Sequence, residues 1–237
     1  MSKYLNKVII ITGSSSGVGN MLALHFLNYG ATVIGLSRRQ IKLDNERYHH
    51  FVCDITDDMA VKQNFKLIKN LYSKIDVLIN NAAELNVFSA ILMPSGLARN
   101  MVNTNFLGHF FVMQQCALIM KKNNYGRIIS ISSMAEILSP IGDAIYSSSK
   151  AALTSLTYSL AKEFGPYNIT LNSLAITFIE TRMSRKINQH EITSIINGLP
   201  LPRKTEIEDI INIIDFYLNE RSDSITGQYI ALGGLRR

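Results

Sequence analysis

Val8-Ile9-Ile10-Ile11-Thr12-Gly13-Ser14-Ser15-Ser16-Gly17-Val18-Gly19 is a β-branched run that breaks into a glycine-rich turn. Apolar residues then recur near a 3.6 period from Val18 to Tyr29. The run reads as a buried strand and the later pattern as a helix. A strand, a glycine turn and a helix N-terminus together form a cradle for a diphosphate, because free backbone N–H groups and the positive end of the helix dipole face the anion. Gly13 suits the tight turn, Gly17 the close approach of a phosphate and Gly19 the packing of helix on strand; Ser15, Ser16 and Val18 complete the cradle. The plainer alternative is a turn that merely joins strand to helix.

Outward from this turn, short apolar runs alternate with longer helical patterns. Strands are expected at Val8–Thr12, Thr32–Leu36, His50–Cys53, Val77–Ile79, Arg127–Ile131, Thr170–Leu174 and Tyr229–Leu232. Helices are expected at Val18–Tyr29, Met59–Tyr72, Leu97–Lys121, Ile145–Phe164 and Ile207–Asn219. This alternation defines an α/β fold: one doubly wound domain over residues 1–237, with a seven-stranded parallel sheet and helices on both faces. Residues 182–201 have weak periodicity and end in Leu199-Pro200-Leu201-Pro202, which reads as a mobile lid. In such sheets ligands bind beyond the carboxyl ends of the strands.

The bulk numbers narrow the function classes. Hydrophobic residues make up 47% of the chain, enough for a core without staples. The longest apolar run near the start is too short for a signal peptide or a membrane span, so a cytoplasmic protein is expected with no membrane partner. Cys53 and Cys116 lack metal or redox spacing and read as reduced, buried thiols; no metal site is expected. The net charge of +6 is scattered rather than clustered, only Arg38-Arg39, Lys121-Lys122, Arg203-Lys204 and Arg236-Arg237 standing together. That argues against a nucleic-acid partner.

Ser37 stands eighteen residues past Gly19, where an acid usually accepts the ribose hydroxyls of NAD. Arg38 and Arg39 follow, and a guanidinium suits a 2′-phosphate, so NADP(H) is the expected cofactor with NAD(H) as the alternative. Asp54, with Ile55 beside it, follows the third strand and either accepts from the adenine amine or caps a turn. Asn80-Asn81-Ala82-Ala83 after the fourth strand faces the cofactor or ties strand ends together.

Tyr146 and Lys150 are four apart at the start of a predicted helix and share a face. A phenol beside an ammonium is expected to ionise more readily and to act as acid and base, while the lysine also holds the nicotinamide ribose. Ser133, just after the fifth strand, is expected to bond the substrate oxygen as charge develops; Ser132 is its rival and Ser130 belongs to the strand. Asn105, polar in an apolar helix, either satisfies that helix or orders water behind Lys150.

Together these residues resemble the short-chain dehydrogenase/reductase family over the whole chain, close in pattern to its 3-oxoacyl-(acyl-carrier-protein) reductase-like members. Thr12–Gly19 is similar to its TGxxxGxG motif and Asn80–Ala82 to its NNA, while Asn105, Ser133, Tyr146 and Lys150 fall on its catalytic tetrad. The resemblance implies the Rossmann strand order, Ile179 and Thr181 beside the nicotinamide, and a homodimer or homotetramer. Two departures stand out: Ala83 replaces a glycine, and Ile176-Thr177 replaces Pro-Gly after the sixth strand, which puts the lid geometry in question. Carrier-docking arginines of that group would fall at Asn124 and Tyr167, so a small carbonyl or alcohol substrate is favoured. Glu136 and Asp143 near the reacting centre favour a polar one. The competing expectation is a catalytically silent nucleotide-binding regulator or scaffold of the same fold.

Overall fold

The computed structural model describes residues 3–234, apart from the side chains of Lys186 and Glu191. The ends of the expected 1–237 domain, including Arg236-Arg237, lie outside the described residues. Among these residues, β1 (Val8–Thr12), β2 (Thr32–Ser37), β3 (Tyr48–Val52), β4 (Val77–Asn80), β5 (Gly126–Ser133), β6 (Ile169–Ile176) and β7 (Tyr229–Ala231) form one sheet in the order β3-β2-β1-β4-β5-β6-β7. Each pair for which a register is defined runs parallel. The order reverses between β1 and β4, so a crevice opens at their carboxyl ends.

Successive side chains on a strand point to opposite faces, and two apolar layers result. Ile10, Ile34 and Leu78 pack with Val61 and Phe65 of α2 (Asp58–Leu71), Val112 and Met113 of α4 (Gly108–Met120) and Leu153 of α6 (Ala144–Phe164). Ile9, Ile11 and Ile79 pack on the other face with Leu22 and Phe26 of α1 (Gly17–Asn28) and Ile210 and Ile214 of α8 (Ile207–Leu218). Ile10 is fully buried, so Ile10→Ala would cost about 2–5 kcal/mol.

Four elements depart from the sequence expectation. β3 begins at Tyr48 because Val33 pairs with it, and its half-exposed edge position leaves little apolar alternation to mark the start. β5 and β6 each run to eight residues, since their pairing continues through Ser133↔Ile176. Ser133 therefore closes β5 rather than following it. The expected helix Leu97–Lys121 is divided into α3 (Ser95–Val102), a π-helical turn at Asn103–Leu107 and α4. Such a turn widens the helix and is frequent at functional sites.

The segment expected as an irregular lid instead holds a 3₁₀ turn at Ser184–Lys186 and a nine-residue helix, α7 (Gln189–Asn197). Asn188 caps α7 by accepting from the His190 N–H at 2.8 Å. Ile192, Ile195 and Ile196 supply a helical stripe too short to stand out in a longer window. A one-turn helix, α5 (Ala135–Leu138), lies between β5 and α6.

Candidate active site

The cofactor end is built by β1, α1 and the carboxyl ends of β2 and β4. Gly13 has φ +69°, and a Cβ there would stand 2.9 Å from the Ala82 backbone. The turn thus needs both the left-handed conformation and the missing side chain. Ser16 caps α1 without a side-chain bond and no acid sits in the first turn, so the helix-terminal N–H groups remain available to an anion. Thr181 packs over Gly17, its methyl being the nearest atom to where a Cβ would stand. This cradle fits the pyrophosphate of a dinucleotide.

Ser37 Oγ donates to the Arg39 carbonyl at 2.8 Å and folds the end of β2 into a tight turn. The turn carries Arg38 and Arg39 on the surface, and Arg39 reaches back to donate to the Ser15 carbonyl at 2.7 Å. Asp54 Oδ1 accepts from the Thr56 N–H and hydroxyl, at 3.0 and 2.8 Å, which makes it a turn acid at that oxygen. Ile55 is buried and packs in the core, so any part it plays toward adenine is through its backbone. Asn81 donates through its backbone N–H to Thr12 Oγ1 and through its amide to the Thr12 carbonyl, both at 2.9 Å. Ala82 N–H also reaches Thr12 Oγ1, so these two residues tie the ends of β1 and β4 together.

The chemical end lies where β5 meets α6. Tyr146 and Ser133 line a cleft together with Leu85, Val87, Ile141, Phe178, Ile179, Met183, Ile187 and Ile195, Asp143 and Thr181 being among its few polar members. Ile195 belongs to α7, which places the lid helix at the cleft. Burial pushes the Tyr146 phenol up to about 12; the Ser133 hydroxyl draws it down and the Asp143 charge raises it further. The expected lowering by Lys150 is therefore not what dominates. Lys150 Nζ is 5.9 Å from the Tyr146 ring centroid and donates to the Ile131 carbonyl at 2.8 Å. Burial brings this ammonium down to about 8, against the opposing charge of Glu136.

Of the two serine rivals, Ser132 is engaged elsewhere: it donates to Glu136 Oε2 at 2.6 Å, where Thr154 also donates at 2.7 Å. Glu136 is thereby held in a buried polar cluster, which removes it from the polar substrate contacts expected of it. Ser130 accepts from or donates to Thr157 at 3.1 Å, inside the strand-to-helix packing. Asn105 is held through both ends of its amide. Its Oδ1 accepts from the Glu84 N–H at 2.8 Å, and its amide donates to the Glu84 carbonyl at 2.9 Å and to Ser149 Oγ at 3.0 Å. Ser149 in turn donates to the Tyr146 carbonyl at 2.7 Å, so Asn105 clamps the post-β4 loop to the start of α6.

Sequence reasoning missed His109 and Ser149. His109 is fully buried in α4, and its Nε2 lies 2.7 Å from the Ala82 carbonyl, which can only accept; this fixes the Nε2–H tautomer. Burial, with Lys150 nearby, lowers His109 to about 3 and keeps the ring neutral. A histidine inside an apolar helix was the available signal. Cys53 and Cys116 are buried, and burial raises both thiols, Cys53 to about 11. Among the described residues no cluster suited to a metal occurs, and no helix is long and apolar enough to cross a membrane.

A doubly wound sheet with a glycine cradle at its switch point, and a tyrosine, serine and lysine gathered at the adjoining strand end, defines a dinucleotide-dependent oxidoreductase. The short chain dehydrogenase family pattern matches residues 7–192. The 3-oxoacyl-(acyl-carrier-protein) reductase FabG of Thermotoga maritima is 31% identical, over 96% of each chain. Among solved structures, ElxO with NADP bound superposes with a TM-score of 0.87 at 28% identity, over 96% of this chain and 97% of that one. NAD⁺-bound xylitol dehydrogenase does so at 0.88 and 26%, over 98% and 100%. The chain belongs to the short-chain dehydrogenase/reductase family and is an NAD(P)-dependent oxidoreductase.

Proposed function

We propose that this chain is an NADP(H)-dependent reductase of small apolar ketones, with Tyr146 as the proton donor. The observation that carries the reading is the cleft itself: Ser133 and Tyr146 are two polar groups on a wall that is otherwise mostly aliphatic and aromatic. NADP(H), when bound, exchanges the hydride with the substrate carbon. Ser133 donates a hydrogen bond to the carbonyl oxygen and shares the charge that develops there. Tyr146 passes its phenolic proton to the same oxygen, which yields the secondary alcohol. The Lys150 ammonium, held by the Ile131 carbonyl, steadies the resulting phenolate. Asn105, through Ser149, fixes the helix turn from which Tyr146 projects.

Arg38 and Arg39 follow β2 on the surface and no acid occupies position 37, which favours a 2′-phosphate over a free ribose hydroxyl. The relative with bound NADP supports that cofactor, while the relative with bound NAD⁺ keeps NAD(H) as the alternative. Asn124 and Tyr167 precede β5 and β6, at the opposite end of the sheet from the cleft, and Tyr167 is bonded to Lys121 at 3.0 Å. Neither supplies a cation for a carrier protein, so a free ketone is favoured over the carrier-bound substrate that the Thermotoga relative's name specifies.

The test is NADPH fluorescence titration followed by turnover on aliphatic, aryl and sugar ketones. Tyr146→Phe should bind NADPH as the native chain does and lose about 10²–10⁴-fold in turnover. Near-native rates in Tyr146→Phe, or a preference for sugar ketones, would overturn the reading.

A further inference from the structure

Beneath the cofactor end of the sheet, four side chains form a hydrogen-bonded chain that neither the phosphate cradle nor proton transfer explains. Ser14 Oγ lies 3.2 Å from Tyr48 OH, Tyr48 OH lies 2.8 Å from His50 Nδ1, and His50 Nε2 lies 3.2 Å from Ser37 Oγ. Ser14, Ser37 and Tyr48 are buried and His50 is half-buried.

The protons fix a direction. Ser37 spends its one hydroxyl proton on the Arg39 carbonyl, which can only accept. Ser37 Oγ therefore accepts from His50, whose proton sits on Nε2. In the neutral ring Nδ1 must then accept from Tyr48, and the Tyr48 oxygen accepts from Ser14. Burial lowers the pKa of His50, in keeping with that neutral form. The chain runs one way, from Ser14 through Tyr48, His50 and Ser37 to the Arg39 carbonyl. Arg39 closes it into a ring by reaching back to the Ser15 carbonyl at 2.7 Å.

The sequence makes room for this chain at a cost to the sheet. Gly35 lies inside β2, where glycine weakens a strand. A Cβ there would stand 2.3 Å from Tyr48 OH and 2.4 Å from Ser14 Oγ, so any side chain would break the first link.

We propose that Tyr48 and His50 are positioning residues for cofactor selectivity: they hold the Ser37-Arg38-Arg39 turn at a fixed spacing from the glycine-rich turn, so that both arginines meet the 2′-phosphate of NADP(H). The proposal rests on the reading of NADP(H) as the cofactor. The pyrophosphate cradle, which NADH shares, is built on the glycine-rich turn at the other end of this spacing. Loss of the chain therefore weakens the nucleotide that carries the 2′-phosphate.

The experiment measures Kd for NADPH and for NADH, with the thermal midpoint, in the native chain and in Tyr48→Phe, His50→Leu and His50→Gln. Tyr48→Phe and His50→Leu should weaken NADPH about tenfold, as expected for a lost hydrogen bond or two, and change NADH by less than about twofold. His50→Gln, whose amide can still donate to Ser37, should recover most of the NADPH affinity. Equal losses for both nucleotides, or a lower midpoint with an unchanged NADPH-to-NADH ratio, would overturn the proposal. If His50→Leu fails to fold, Tyr48→Phe decides alone, since it removes one oxygen and keeps the ring. Equal binding of NADPH and NADH by the native chain would instead overturn the cofactor reading.

Discussion

Tyr146 and Lys150 are shifted in opposite directions by burial, and the consequence is a pH profile that differs with reaction direction. The phenol, raised to about 12, carries its proton throughout the neutral range, so ketone reduction needs no prior ionisation. Alcohol oxidation needs the phenolate, whose fraction rises about tenfold per pH unit below that value. Lys150, depressed to about 8, is a cation below that pH and loses its charge above it. Oxidation should therefore speed up from pH 7 to about 8 and level off above it, where Lys150 no longer steadies the phenolate, while reduction should hold to about pH 8 and then fall. Parallel profiles of kcat/KM in the two directions would contradict this assignment. Arg38 and Arg39 divide the cofactor task less simply than their sequence suggests, because Arg39 is already tied to the glycine turn. Arg38→Asp should move preference from NADPH toward NADH in a titration, and an unchanged preference would remove Arg38 from the 2′-phosphate site.

At the scale of elements, the loop after β6 shows what replaces the Pro-Gly pair. Thr177 is buried, its hydroxyl pairs with that of Thr205, and Thr205 N–H donates to the Phe178 carbonyl at 2.8 Å. The base of the lid is thus pinned to the segment that follows it, rather than loosened by the missing proline. Thr177→Val keeps the side-chain shape but strands the buried Thr205 hydroxyl, at a cost of about 1–3 kcal/mol. Limited proteolysis between residues 182 and 200 should be several-fold faster in that variant and slower when NADPH is added. Equal cleavage in the two proteins would show that the pair does not hold the lid. The strands from Val8 and Val77, and the cradle between them, were legible because buried parallel strands are continuous apolar runs. The π turn around Asn105 was not, since a one-residue widening leaves the apolar period on either side nearly intact. Nor was the Tyr48-His50 chain, whose partners are distant in sequence and meet only through the β2–β3 register. Tyr146 and Lys150 were legible as a pair by their spacing of four, but the partners of Asn105 and Glu136 depend on a loop and a helix turn that spacing does not describe.

At the scale of the whole molecule, the outer side of α4 carries apolar side chains that the sheet does not cover. On α4, Val112, Met113, Cys116 and Met120 are turned to the core and fully buried. Leu118 on the same helix is 56% exposed, and Leu107 at its N-terminal edge is 37% exposed. A helix apolar on both sides is the pattern of an element buried on both sides, which one sheet face cannot provide. The exposed side of α4 should therefore pack against further copies of the chain, as a dimer or tetramer. Light scattering at micromolar concentration should give two or four times the 26.5 kDa chain mass. Leu107→Lys with Leu118→Lys should shift that mass toward the monomer, because each places a charge in an interface it would have to leave solvated. A native protein that scatters as a monomer would show that this face is covered by something other than the chain itself, and a double variant that keeps the native mass would move the contact to another surface.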